Sequence, residues 1–258
     1  MTILNTIAKR LAEYLSRSIR KDIHVATTKP EDLASALKKG DILLIEGNSR
    51  ISSAIKYLTQ STWSHAALYV GNRLKIENST MSEPILVEAD INEGVRTVPL
   101  SRYSNVHTRI CRPVGLTDKD ITAVIDYALA QVGDTYDIKN ILDLVRYLIS
   151  SPPVPDHLKR RLLALGSGDP TKTICSSMIA QAFQSVRYPI LPERLLESSD
   201  SRAYRQCYWE ILRIKHHSLF VPRDFDASPY FEIIKPTIYK GFNPYQMNWS
   251  TESQQEER

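Results

Sequence analysis

A cysteine followed by two serines and an apolar helical pattern is the stretch of this sequence best suited to chemistry. Met178, Ile179, Ala182, Phe183 and Val186 recur at three and four residues, the spacing of a buried helix face. Cys175 therefore sits about where that helix begins, where first-turn amides and the positive end of the helix dipole stabilise a thiolate. A cysteine nucleophile needs a base in hydrogen-bond reach and a group that orients the base. There are six histidines: His24, His65, His107, His157, His216 and His217. Only His65 opens an apolar strand directly after a polar turn, where an imidazole can project from a sheet edge into a cleft. A lone histidine is otherwise a surface or packing residue, and spacing alone leaves both readings of His65 open. Glu88 stands inside the apolar run ILVEA, and an ionised glutamate is rarely buried without a partner. Either strand alternation turns it to solvent, or it accepts a hydrogen bond from His65 on a neighbouring strand, fixing the tautomer and favouring the protonated ring.

Three further residues stand near these in the chain. Tyr136 follows QVGD in a tight turn, as a half-buried aromatic with a wet hydroxyl or as a wall of the site. Ser176 and Ser177 lie outside any GxSxG elbow and are expected to supply hydroxyl and amide groups to the helix start. Cys111 and Cys207 read as small buried apolar side chains.

The elements that must position these groups are legible in outline. Residues 3–21 predict an amphipathic helix with Leu4, Ile7, Ala8, Leu11, Leu15 and Ile19 on one face. It could lie on a membrane surface, but it lacks Trp and Phe, which favours packing on its own domain or on a partner chain. A short helix is expected over 28–39, with Pro30 near its first position. A strand runs up to Gly47, and a loop and helix over 48–59 carry Ile51, Ile55 and Leu58 on one face. Residues 60–64 form a polar turn. Strands follow over 65–71, 85–89, 94–99 and 108–113, close together and separated by turn signals, which predicts an antiparallel sheet. Thr117 is the N-cap of a helix that Gly133 ends, and a further helix is expected over 138–150 before Pro152, Pro153 and Pro155. Strands in the middle and helices on both sides predict one α+β domain. The boundaries are a helical extension over 1–36, a domain over 37–245 with an insertion-like segment at 148–172, and a tail over 246–258 expected to be disordered.

Composition narrows the function classes. The 258 residues are 42% hydrophobic and 24% charged, ordinary for a globular protein. A net charge of +4 is too small to argue for nucleic acid. Three widely spaced cysteines form neither a disulfide framework nor a metal-ligand pattern, and thiol nucleophilic chemistry needs no metal or organic cofactor. Lys9, Arg10 and Glu13 interrupt any leader-like apolar region, which predicts a cytoplasmic protein, with peripheral membrane contact open through the N-terminal helix.

Taken together, KGDILLI (39–45), STWSHAALYVG (61–71), ILVEAD (85–90), GVRTVPLSRY (94–103), QVGDTYD (131–137) and ICSSMIAQAF (174–183) occur in this order. This resembles the circularly permuted branch of the NlpC-type papain-like cysteine hydrolases, the YiiX-like group, with lecithin retinol acyltransferase a more distant relative. The late VPRDF (221–225) resembles that group's C-terminal pattern. The resemblance spans roughly residues 37–236 and implies a small antiparallel sheet or barrel packed on the cysteine helix. In the permuted branch the histidine and its orienting group precede the cysteine. By position it implies Cys175 as nucleophile, His65 as base and Glu88 as orienting group. Tyr136 takes the place of the family's active-site tyrosine, with Trp63 and Ser176 as further substrate contacts. The implied activity is cleavage of an amide or an acyl-ester or thioester bond through a thioester intermediate, on a peptide or acyl substrate. The competing expectation is a non-catalytic binding protein that docks on membrane or partner through its N-terminal helix.

Overall fold

The computed structural model describes residues 10, 14, 16–17, 26–71, 84–134, 176–196, 210–213, 217 and 220–246. The predicted helix over 138–150, the segment 148–172, Tyr136, Cys175 and the tail beyond 246 lie outside the described residues. So does most of the N-terminal helix, of which Arg10, Tyr14 and Ser16 are helical.

The elements follow the sequence pattern closely. Helix α1 is Pro30–Ala36, with Pro30 in its first turn. It stops short of the expected residue 39 because Leu37 is extended and Lys38 turns the chain, its amide donating to Asp41 Oδ2 at 2.8 Å. Strand β1 is Ile42–Ile45 and helix α2 is Arg50–Thr59. Ser49 caps α2, and Gln60 ends it in the left-handed region at φ 50°. Strands β2 (His65–Gly71), β3 (Ile85–Asp90) and β4 (Gly94–Pro99) follow, then a 3-10 turn at Leu100–Tyr103 and β5 at Thr108–Pro113. Helix α3 (Asp118–Ala130) opens with a capping box between Thr117 and Asp120. Helix α4 is Ser176–Ser185. A two-stranded ribbon of β6 (Glu193–Leu196) and β7 (Glu210–Arg213), helix α5 (Pro222–Asp226), β8 (Phe231–Ile234), α6 (Pro236–Tyr239) and a 3-10 turn at Pro244–Gln246 follow among the described residues. Strands β6 to β8 are four residues each, too short for the alternation that marked the earlier ones.

Among the described residues the main sheet has six antiparallel strands in the order β4-β3-β2-β1-β5-β8. It is an open sheet, so of the sheet-or-barrel alternatives the barrel does not form. Its β4 edge is covered by the turn after α3 instead of by β8: Val95 donates to Asp134 O and Gly133 donates back to Val95 O, both at 2.9 Å. One lateral row crosses all six strands through Arg96, Glu88, Ala67, Leu43, Ile110 and Ile234.

Both faces are covered, which is why β1 reads as an unbroken apolar run. On one face Ile42, Leu44, Ala66, Leu68, Val70 and Val87 pack with Val124, Ile125 and Ala128 of α3 and Met178, Ile179, Ala182 and Phe183 of α4. On the other, Leu43, Ile45, Ala67, Tyr69, Leu86 and Val98 pack with Leu33, Ala36 and Leu37 at α1. Each buried leucine or isoleucine contributes roughly 1.5–3 kcal/mol through the apolar area it removes from water. Among the described residues no helix is long and apolar enough to cross a membrane.

A buried ion pair fixes α1 to the sheet. Asp41, read from the sequence as a turn residue, is 1% exposed. Arg112 of β5 grips it with Nε to Oδ1 at 2.9 Å and Nη2 to Oδ2 at 2.7 Å, and Nη2 also donates to Ala36 O at 2.6 Å. Burial raises the Asp41 carboxyl's pKa, opposed by Arg112 and the Lys38 amide. Arg112→Met strands a buried carboxylate. The expected loss is about 3–5 kcal/mol, read as a lower denaturant midpoint with an unchanged m-value. A midpoint within experimental error of the parent's excludes this role for the pair.

Candidate active site

The turn before His65 is held from both sides. Ser64 donates its amide to Ile45 O at 3.1 Å, and its hydroxyl accepts the Gly47 amide at 2.9 Å. A Cβ on Gly47 would collide with the hydroxyls of Ser52 and Ser64, so only glycine lets β1, α2 and this turn approach so closely. Trp63 is 2% exposed, stacks on His107 with ring centroids 5.2 Å apart, and donates its indole N–H to Asp226 Oδ2 at 3.1 Å. Arg109 lies over the indole and pairs with Asp226 at 2.7 Å. The VPRDF segment and the residue after it thus clamp the turn: Asp226 ends α5, and Arg223 donates to Thr59 O at 3.0 Å.

His65 then begins β2 opposite Ile45, the last residue of β1, at the rim of the sheet. Its Nε2 lies 2.8 Å from Glu88 Oε2. Glu88 pairs laterally with Ala67, so the two meet on the diagonal, two residues apart along the strands, and not side by side. The alternation that could have sent Glu88 to solvent sends it to the α1 face, where the carboxylate is 1% exposed.

Two partners that sequence reasoning left without a role complete the carboxylate's shell. Arg96, directly across from Glu88 on β4, donates to Oε1 from Nε at 3.0 Å and from Nη2 at 2.9 Å. Tyr103, from the 3-10 turn, donates its hydroxyl to Oε2. The signal for Arg96 was present: the turn at 91–93, closed by Gly94 at φ 74°, centres the β3–β4 hairpin on residue 92 and pairs 88 with 96. Tyr103 carried no such signal, because it depends on the return path of the 3-10 turn.

Electrostatics follow from this shell. Burial pushes the Glu88 pKa up, but the hydrogen bond and charge of His65, the Tyr103 hydroxyl and Arg96 outweigh it and hold the group at about 2. Burial, and then the same carboxylate, pushes the Tyr103 phenol well above its ordinary pKa. Arg96 is raised against the cost of its own burial, by Glu93 first and then Glu88. At neutral pH the acid is therefore an anion that can only accept, so Nε2 of His65 carries a proton toward it. Proton exchange with a nucleophile then belongs to Nδ1.

A cleft of about 230 Å³ opens beside this group. His65, Glu88, Arg96, Arg102 and Tyr103 line one side, Asn48, Ser49 and Ser52 at the start of α2 another, and Ile45, Ile51, Ile55 and Ile91 give it apolar walls. Trp63 does not line it; its ring is spent on holding the turn. Ser176 opens α4 and is 4% exposed. That helix packs on the face of the sheet opposite to the one where His65 and Glu88 meet. Cys175 and Tyr136 lie outside the described residues. Cys111, the cysteine among the described residues, is fully buried, and burial pushes its thiol far up. Among the described residues no group of three or more His, Cys, Asp or Glu is placed to hold a metal ion.

The pH dependence of stability has a definite sign. Glu88 is depressed from 4.5 to about 2, so its contribution is full above pH 4.5 and is lost as pH falls toward 2. The expected loss across that window is about 3 kcal/mol. Glu88→Gln should flatten this part of the stability profile. An equally steep fall in that variant rules Glu88 out as the source.

Comparison with known proteins bears on the same segment. Residues 36–147 match the family model described as permuted papain-like amidase enzyme, YaeF/YiiX, C92 family. No curated protein is similar enough to match. Among solved structures, the chain is similar to the crystal structure of metalloprotein yiiX from Escherichia coli O157:H7. The identity is 16%, the TM-score 0.45, and the likeness covers 78% of this chain and 97% of that one. The family match includes His65, Glu88, Arg96 and Tyr103 and ends before Cys175. It supports a papain-like amidase or peptidase function. Over residues 36–147 the chain is thus similar to the YiiX-like family of permuted papain-like amidases.

Proposed function

We propose that the protein is a cysteine hydrolase in which Cys175, His65 and Glu88 act together on an amide or acyl-ester or thioester bond. The observation that carries this reading is the buried, anionic Glu88 holding His65 Nε2 at 2.8 Å at the edge of an open cleft. A surface histidine has no need of a carboxylate kept ionised in the core by an arginine and a tyrosine. In the first half-reaction the Cys175 thiol gives its proton to His65 Nδ1 and its sulfur bonds the acyl carbon. The bond from that carbon to the leaving nitrogen, oxygen or sulfur breaks, and the proton passes from the imidazole to the leaving group. Water then attacks the thioester, losing a proton to His65. The acid departs, and the proton returns to the sulfur. Backbone amides at the start of the cysteine helix would receive the oxyanion.

The cleft's mixed walls, hydroxyl and amide groups on one side and isoleucines on another, suit a peptide or an acyl group placed across the rim. The test is a thiol-directed acylating probe with the labelled residue read by mass spectrometry. Cys175→Ala is expected to abolish labelling while the fold survives. His65→Ala is expected to slow it at neutral pH by about 100-fold or more. Label on Cys111 or Cys207, or an undiminished rate without His65, removes the assignment.

A further inference from the structure

The shell around Glu88 does more than neutralise a buried charge. A carboxylate offers four acceptor directions, and here all four are taken. Arg96 occupies Oε1 with two N–H groups, while Oε2 receives His65 Nε2 and the Tyr103 hydroxyl. The three donors come from three elements: the start of β2, the middle of β4 and the 3-10 turn. Arg96 is itself held, with Nη1 at 2.5 Å from Glu93 and Nη2 at 3.4 Å from Asp90. Asp90 in turn accepts the Asn92 and Glu93 amides, so the hairpin turn and the guanidinium brace one another.

We propose that Arg96 and Tyr103 are positioning residues: by filling the other acceptor directions of Glu88, they leave it one direction, and that direction fixes the ring of His65. This rests on the reading of His65 as the base of the hydrolase. The two-point grip on Oε1 stops the carboxylate rotating about its last torsion, since rotation breaks both Arg96 bonds at once. Tyr103 takes the lone pair of Oε2 that would let the imidazole swing to a second orientation. The ring's centroid lies 6.2 Å from that of Tyr103, so the phenol also walls the imidazole from one side. What results is a ring with its proton held on Nε2, so that its basic lone pair is on Nδ1.

A role confined to charge balance makes a different prediction, because Arg96→Lys keeps the charge and Tyr103→Phe never carried one. The test uses the full chain and reads the His65 imidazole nitrogens by 15N NMR above the ring's own titration, where the Nε2–H tautomer separates from the Nδ1–H form. In the parent one tautomer is expected. Tyr103→Phe and Arg96→Lys should each give a mixture, with labelling at Cys175 slowed about 10-fold or more and thermal melting that still shows a folded protein. Should a variant fail to fold, the other carries the test. Both variants retaining the single Nε2–H signal, with labelling reduced only in proportion to unfolded protein, would overturn the proposal. The NMR arm is repeated in Cys175→Ala, where no turnover is needed. A lack of labelling in the parent therefore counts against the hydrolase, and an unmoved tautomer counts against the positioning role.

Discussion

An anionic carboxylate in the core of a sheet is the constraint that the rest of the site obeys. Taking such a charge out of water costs several kcal/mol unless hydrogen bonds and an opposite charge replace the water. Glu88 sits between Val87 and Ala89 in a strand buried on both faces, so nothing within its own strand can meet that demand. The donors must arrive from elsewhere, and each comes on an element whose path is set by other contacts. The β3–β4 hairpin brings Arg96, the 3-10 turn brings Tyr103, and the polar turn before β2 brings His65. The site is thus an arrangement forced by the cost of its central charge.

That demand gives sense to features that otherwise look incidental. Gly47 lets α2 and the turn before His65 close on β1, which sets where His65 starts. The Trp63, His107, Arg109 and Asp226 group pins the same turn from the C-terminal side. Asp41 and Arg112 repeat the logic of Glu88 and Arg96 at the far side of the sheet, joining α1 to β5. The difference is chemical. Asp41 is enclosed and ties elements together, whereas Glu88 shares its carboxylate with a histidine that is partly exposed beside an open cleft. A buried ion pair of the first kind holds structure; one of the second kind can do work on a ligand.

Much of this was legible before any coordinates. The alternation and turn signals placed β2, β4 and β5 at their true bounds, because those strands are six or seven residues long and flanked by glycine, proline or polar turns. The N-cap of α3 was visible as Thr117, while the box it closes with Asp120 came with the structure. The link from His65 to Glu88 was readable as adjacency of strands, and the family match covers both. Strands β6, β7 and β8 were not readable, since each is four residues long and, unlike the equally short β1, is interrupted by a charged residue. The resemblance implied Trp63 as a substrate contact, yet its ring is buried and its N–H goes to a residue 163 positions away.

Sequence alone determined the kinds of groups present and their order: a histidine, then an acid, then a cysteine at a helix start, with an antiparallel sheet to carry the first two. Those are properties of local pattern, and local pattern is what a sequence states. The tertiary structure decided that the sheet stays open, that Glu88 faces inward, that Arg96 and Tyr103 complete its shell, and that α4 lies on the opposite face from the pair. Each of these depends on which surfaces meet after the chain has folded. A strand's alternation defines two faces but does not say which of them a distant helix will cover.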